Sequence, residues 1–469
     1  MTAGRTVVVV GGGISGLAAA WELTGGAAPS ADAPRVVVLE AAGRLGGPLC
    51  SERLEGLAVD MGPDGFLGRR PEATDLCHEL GLAEALVPIA TRGASVWARG
   101  RLRALPEGQA MGIPTRFWPT ARAGLLGPRG QLALARDALL PRPDVRGPIG
   151  DRAIGPLVAR KLGRRVVDVL TDPLLGGIHA GAVDDMSAAA TFPPLLAAAQ
   201  RRGSLMRALR AEVPPPAPEG SPLFWALRDG MASLVQALAA ALVARGVEIR
   251  LTAGAESLER AGRTWSVVTQ GGAEDADAAV LATPAGVTSR LIRPHDDEAA
   301  GLLDAIDYAS VTVATFRAAA GTMPPLHGTG FLVPRRSRRG DGDPWAVTAC
   351  TFLDRKWPHL ERDGEILLRA SLGRIDDTRA TGWSDEEVTD RAWAELTEMM
   401  ALTSAPEASS VARWPDSLPQ YRVHHLLRTA GVEAAIARLG GLAVAGAAYH
   451  GVGIPACIAS GRAAAHALL

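Results

Sequence analysis

Cysteine is scarce in this chain of 469 residues: Cys50, Cys77, Cys350 and Cys457 are far apart and form no C-x-x-C. That spacing excludes a disulfide framework and a cysteine-ligated metal centre, and it fits a reducing compartment. Lysine is nearly absent, at Lys161 and Lys356 only, so arginine carries almost all of the positive charge. The 49 basic residues meet 50 acidic ones, for a formal net charge of −1. No bulk field draws such a chain to nucleic acid or to anionic lipid. No apolar run reaches the ~18–20 residues that a membrane-spanning helix needs. Residues 231–243 come nearest, and Ser233 and Gln236 interrupt them. The chain enters a strand-like segment at Thr6, so no signal peptide is expected. These absences lead to the expectation of a cytoplasmic protein. Hydrophobic residues make up 47% and charged residues 21%, enough for a large core and for about two or three domains.

What is present is concentrated in the first forty residues. Thr6-Val7-Val8-Val9-Val10 is an uninterrupted apolar run of the kind buried in a parallel sheet. Gly11-Gly12-Gly13-Ile14-Ser15-Gly16 follows and satisfies G-x-G-x-x-G. Leu17, Ala18, Ala19, Ala20 and Leu23 continue as a helix. A second strand, Arg35 to Leu39, ends on Glu40. Each part suits a dinucleotide. Gly11 turns the chain sharply, Gly13 lets a pyrophosphate approach the backbone, and Gly16 lets the helix pack close to the sheet. Helix-start N–H groups meet phosphate, and Glu40 accepts from a ribose. Residues 25–34, a Gly/Ala/Pro insert, absorb a Gly16-to-Glu40 gap somewhat longer than usual.

Glu40-Ala41-Ala42-Gly43-Arg44-Leu45-Gly46-Gly47 forms a second block. Arg44 is a cation for a phosphate or ribose, and Gly46-Gly47 again allow close approach. Together the two blocks resemble the FAD-binding start of the flavin amine oxidase, phytoene desaturase and protoporphyrinogen oxidase superfamily. Further blocks extend the resemblance along the chain. Gly62-Pro63-Asp64-Gly65 corresponds to a segment passing the flavin ring. Ala255 and Leu281-Ala282-Thr283-Pro284 correspond to the return to the cofactor domain, with backbone near Ala255 at the adenine end. Trp414, Gly446 and the turn Gly451-Val452-Gly453-Ile454-Pro455 correspond to the closing flavin motif, where a helix N-terminus faces the pyrimidine ring. The resemblance therefore implies cofactor contacts from Gly11 to Gly16, Glu40, Ala41, Arg44, Gly46, Gly47, Gly62 to Gly65, Ala255, Trp414, Gly446, Val452, Gly453 and Ile454.

Over the whole chain the pattern is most similar to the oxygen-dependent protoporphyrinogen and coproporphyrinogen III oxidase family, Gram-positive branch. Pro173-Leu174-Leu175-Gly176-Gly177-Ile178-His179-Ala180-Gly181 matches a segment lining that family's substrate cavity, with His179 where an aromatic is usual. The resemblance thus places Gly176, Gly177, Ile178 and Gly181 against substrate. Met111-Gly112-Ile113-Pro114-Thr115 and residues 350–358 match the Gram-positive branch. The implied fold is α/β: a discontinuous Rossmann-like FAD-binding domain (1–62, 223–288, 411–469), an α+β substrate domain (63–98, 195–222, 289–410) and a helical lobe (99–194). The lobe is closed by Pro141-Arg142-Pro143, and residues 211–222 read as a stiff polar linker. Its Phe117-Trp118-Pro119 cluster is expected in the lobe core rather than in a membrane.

The implied reaction is a six-electron oxidation of coproporphyrinogen III to coproporphyrin III in heme biosynthesis. Hydride passes to a non-covalent FAD, O2 reoxidises it, and H2O2 is released. No catalytic side chain and no metal ligand are expected, because the cofactor supplies the reactive atom and the protein supplies position. No cysteine precedes the closing motif at Tyr449-His450, so a covalent flavin link of the amine oxidase kind is not expected. Substrate propionates call for arginine forks. Eukaryotic members place an arginine near Ser95, which this chain lacks, and Arg70 is the expected replacement. Peripheral membrane contact and transient contact with other heme-pathway enzymes stay open. So do protoporphyrinogen IX as main substrate, a non-catalytic porphyrin-binding role, and another oxidase or desaturase of the superfamily. An amine oxidase is disfavoured, since its aromatic cage sits badly with three tyrosines.

Overall fold

In the computed structural model, β1 (Thr6–Val10) is the middle strand of a five-stranded sheet. Val7, Val8 and Val9 are fully buried. Branched side chains suit a strand covered on both faces, and each contributes about 1.5–3 kcal/mol of transfer free energy. The structure describes residues 4–30, 32–139, 150–201, 203–213, 222–321 and 328–469. Contacts divide the chain into two compact units. One comprises Met1–Pro88, Gly220–Asp307 and Leu426–Leu469, the other Ile89–Glu219 and Tyr308–His425.

The first unit holds β1, α1 (Ile14–Leu23), β2 (Arg35–Leu39), α2 (Pro71–Glu79), α3 (Ala232–Ala244), β3 (Glu248–Arg250), β4 (Ala278–Leu281), β5 (Leu442–Val444) and α4 (Ile454–His466). The sheet order is β3-β2-β1-β4-β5, and every pair is parallel. α1 and α4 meet backbone to backbone, because a Cβ at Gly461 would overlap the Ser15 carbonyl oxygen. Glu79 of α2 ties the group together, accepting from Trp21 Nε1 at 2.8 Å and Arg462 Nη2 at 2.6 Å. The strands Ala255–Ala261, Thr264–Thr269 and Gly272–Ala276 form a separate antiparallel sheet.

The second unit is built on a seven-stranded sheet, in the order Ala408–Pro419, Tyr308–Ala319, Glu365–Leu372, Val347–Phe352, Gly330–Leu332, Ser95–Trp97, Leu102–Ala104. It is antiparallel except where Gly330–Leu332 runs parallel to Ser95–Trp97. The sequence reads as strands at residues 310–316, 330–333, 346–352 and 366–372, and all four are present. Helix Asp385–Met400 starts with a capping box from Ser384 and Glu387 and buries Val388, Ala392 and Leu396 in the core on this sheet. A second core, from residues 96 to 209, is mostly helical and includes Val158, Leu162 and Leu209, with Ile113 from a short strand.

One local expectation needs correction. Phe117 packs against the helical core, but Trp118 beside it is 66% exposed. A helix turns successive side chains about 100° apart, so one of the pair points outward. Trp414 stands upstream of the helix His425–Leu439. It lies in the edge strand Ala408–Pro419, opposite Val311, so the expected domain line at 410/411 runs through a strand. The line at 288/289 likewise runs through the helix Ala285–Ile292. Residues 141–143 and 214–221, which carry the expected lobe closure and most of the linker, lie outside the described residues.

Candidate functional site

The glycine turn is built as its sequence requires. Gly11 has φ 108°, a conformation that disfavours any side chain, and a Cβ there would also overlap the Ala282 carbonyl oxygen. At Gly16 a Cβ would strike the Gly11 carbonyl oxygen, so α1 can sit this close to β1 only with glycine. Gly13 differs: φ is −71° and a Cβ would meet nothing within 4 Å. Open space therefore lies beside the residue that caps α1. No side chain caps that helix and its first turn holds no acid, so its leading N–H groups remain donors for an anion.

Glu40 closes the turn from the end of β2. Its Oε2 accepts from Gly12 N at 2.6 Å and its Oε1 from Ala42 N at 2.8 Å. A carboxylate has further lone pairs, so a ribose hydroxyl can still donate to it. The second glycine pair comes to the same place, with Gly46 N donating to Gly12 O at 2.9 Å. Gly46 and Gly47 both have positive φ, and Gly47 faces open space. Ala41 is exposed, and a Cβ on Gly254 would lie 3.1 Å from it. This brings the start of the strand at Ala255 beside Glu40. Arg44 is exposed, and its Nη1 donates to Leu45 O at 3.2 Å.

Gly62, Pro63, Asp64 and Gly65 form the loop between strands Leu57–Asp60 and Phe66–Leu67, with Asp64 buried. α4 begins at Ile454 after Gly453, with no side-chain cap. Gly446 N donates to Ser460 Oγ at 3.0 Å, joining the end of β5 to this helix. Burial pushes the Cys457 thiol up to about 11, against smaller opposing effects from Ser15 and Arg70. Ser15 lies against α4, since a Cβ on Gly461 would overlap its carbonyl oxygen. Arg70 is paired, since its Nη2 meets Glu72 Oε1 at 2.5 Å.

The remaining expected residues lie in the second unit. Trp414 is in the edge strand. Gly176 ends a ten-residue π-helix, Val167–Gly176, a rare geometry that concentrates at functional sites. Gly177 and Ile178 are exposed, while His179 and Gly181 are buried. Desolvation pulls the His179 imidazole down to about 4. Three residues around this stretch escaped sequence reasoning: Asp172, Arg335 and Gln420. Only Asp172 is a sequence neighbour, so no local signal marked the other two.

The donors, open glycine and ribose acid fit a dinucleotide, and the parallel sheet with its second glycine pair defines a dinucleotide-binding protein. A family model described as "Flavin containing amine oxidoreductase" matches residues 14–469. The chain belongs to that family, and its cofactor is FAD. It is 32% identical over 480 residues to the coproporphyrinogen III oxidase of Bacillus subtilis (strain 168), covering 98% of this chain and 97% of that one. It is 35% identical over 465 residues to the coproporphyrinogen III oxidase of Mycobacterium tuberculosis (strain ATCC 25618 / H37Rv), covering 98% and 96%. A crystal structure from Exiguobacterium sp. 255-15, assigned as a protoporphyrinogen oxidase, superposes with TM-score 0.88 at 32% identity, over 99% of this chain and 98% of that one.

Proposed function

We propose that this chain oxidises coproporphyrinogen III to coproporphyrin III, using FAD and O2 and releasing H2O2. The observation that carries the reading is end-to-end similarity, at 32% and 35% identity, to two bacterial enzymes named for that substrate. When bound, the flavin supplies the hydride acceptor. The chain's own residues hold and orient. The α1 N-terminus and Gly13 receive the pyrophosphate, Glu40 the ribose and Gly46-Gly47 the adjoining backbone approach. The closing turn at Val452, Gly453 and Ile454 places helix N–H groups where reduction puts negative charge. Gly176, Gly177, Ile178 and Gly181 meet the tetrapyrrole, and Arg70 exchanges Glu72 for a propionate. No side-chain acid or base is assigned, because pyrrole protons exchange with solvent and positioning carries the rate. Among the described residues no helix is long and apolar enough to cross a membrane. The cytoplasm is the proposed location.

The test is aerobic incubation of the FAD-loaded protein with coproporphyrinogen III and, separately, protoporphyrinogen IX. Porphyrin fluorescence rising well above the autoxidation blank, faster with coproporphyrinogen, is the expected result. Protoporphyrinogen as the preferred substrate is the second reading, supported by the name of the Exiguobacterium protein. A tightly bound porphyrinogen with no turnover in either assay overturns both.

A further inference from the structure

The stretch Gly176–Gly181 is held more firmly than its composition of small residues demands. It leaves the π-helix through a single α-turn, Gly177–His179, and Ala180 then takes the left-handed conformation, φ 46° and ψ 31°. That conformation is strained for a residue with a Cβ. Three consecutive carbonyls are each taken by a donor from elsewhere in the second unit. Gln420 Nε2 donates to His179 O at 2.8 Å. Ile375 N donates to Ala180 O at 2.8 Å. Arg335 Nη2 donates to Gly181 O at 2.5 Å. Asp172 completes the clasp, accepting from Val183 N at 3.2 Å and from Arg335 Nε at 3.3 Å. Asp376 pairs with the other arm of Arg335. From this pinned backbone Ile178 points outward, 48% exposed.

We infer that Arg335 and Gln420 are positioning residues: they fix the carbonyls of residues 179–181 and so present Gly177 and Ile178 as a preformed apolar shelf for a tetrapyrrole face. This rests on the reading that Gly176–Gly181 meets substrate. A preformed shelf binds without an ordering cost. With a pin removed, Ala180 relaxes from its strained conformation, and substrate binding must re-order the segment. The reacting atoms are untouched, so the loss falls on KM and not on kcat.

The experiment is steady-state kinetics of FAD-loaded Gln420→Leu, Arg335→Lys and Arg335→Met with coproporphyrinogen III, alongside Ile178→Asp. Gln420→Leu and Arg335→Met are expected to raise KM by about tenfold, the worth of one lost hydrogen bond. Their kcat should stay within about twofold of the parent, at full FAD content. Arg335→Lys keeps the charge and one donor, and should fall between parent and Arg335→Met. If Arg335→Met does not fold, Arg335→Lys and Gln420→Leu decide the matter. Unchanged KM in those variants, or a fall in kcat alone, overturns the positioning role, provided that Ile178→Asp raises KM. If Ile178→Asp also leaves KM unchanged, the reading of the segment as a substrate surface fails instead.

Discussion

Acidification should weaken this protein through one buried imidazole. His179 is 7% exposed, its Nδ1 has no hydrogen-bond partner, and its nearest ring is Tyr421, with centroids 5.9 Å apart. Burial pulls its pKa from the ordinary 6.5 down to about 4. The unfolded chain therefore binds more protons than the folded one between those values. Stability is fully present above about 6.5 and is lost as pH falls toward about 4. For those two pKa values, moving from about pH 7.5 to about pH 5 costs about 2 kcal/mol. His179→Phe keeps a ring of similar size and removes the titration. Urea unfolding of the FAD-loaded parent and variant at the two pH values isolates the effect, because the other histidines are common to both. The parent should lose about 2 kcal/mol more than the variant on acidification. Equal losses in the two proteins would falsify the assignment of a neutral, desolvated His179.

Gly13→Val and Gly16→Val should separate binding from folding. A side chain at Gly13 meets no protein atom within 4 Å, so that variant should fold but purify without its yellow cofactor. Gly16→Val collides with the Gly11 carbonyl and should fail to give soluble protein; the opposite pattern refutes the cradle. Arg70→Ala should raise KM for coproporphyrinogen by roughly tenfold, the worth of a charge-assisted hydrogen bond, at unchanged FAD content. An unchanged KM removes Arg70 from the substrate site. Glu395 is buried and accepts from Ala346 N at 3.0 Å and Val347 N at 2.8 Å. Glu395→Ala orphans both amides and should cost about 2–4 kcal/mol in a urea titration; a loss below about 1 kcal/mol would show that water replaces the carboxylate.

The sequence alone determined the β1–glycine–α1–β2–Glu40 unit, the strands between 308 and 372, and the FAD family. These rest on local signals: buried valine runs, glycines at sharp turns, an acid at a strand end, and alternation along antiparallel strands. Tertiary structure decided what local signals cannot carry. It placed β3 at one edge of the parallel sheet and β5 at the other. It brought Gly461 onto Ser15, and it committed Oε2 of Glu40 to the Gly12 amide. It also made the Pro-Leu-Leu-Gly-Gly stretch the end of a π-helix, followed by a turn gripped by Gln420 and Arg335. The contacts at Gly461, Gln420 and Arg335 join residues more than 150 positions apart, and whether they form depends on sheet order and register. Nothing within a helix turn or a strand repeat encodes that.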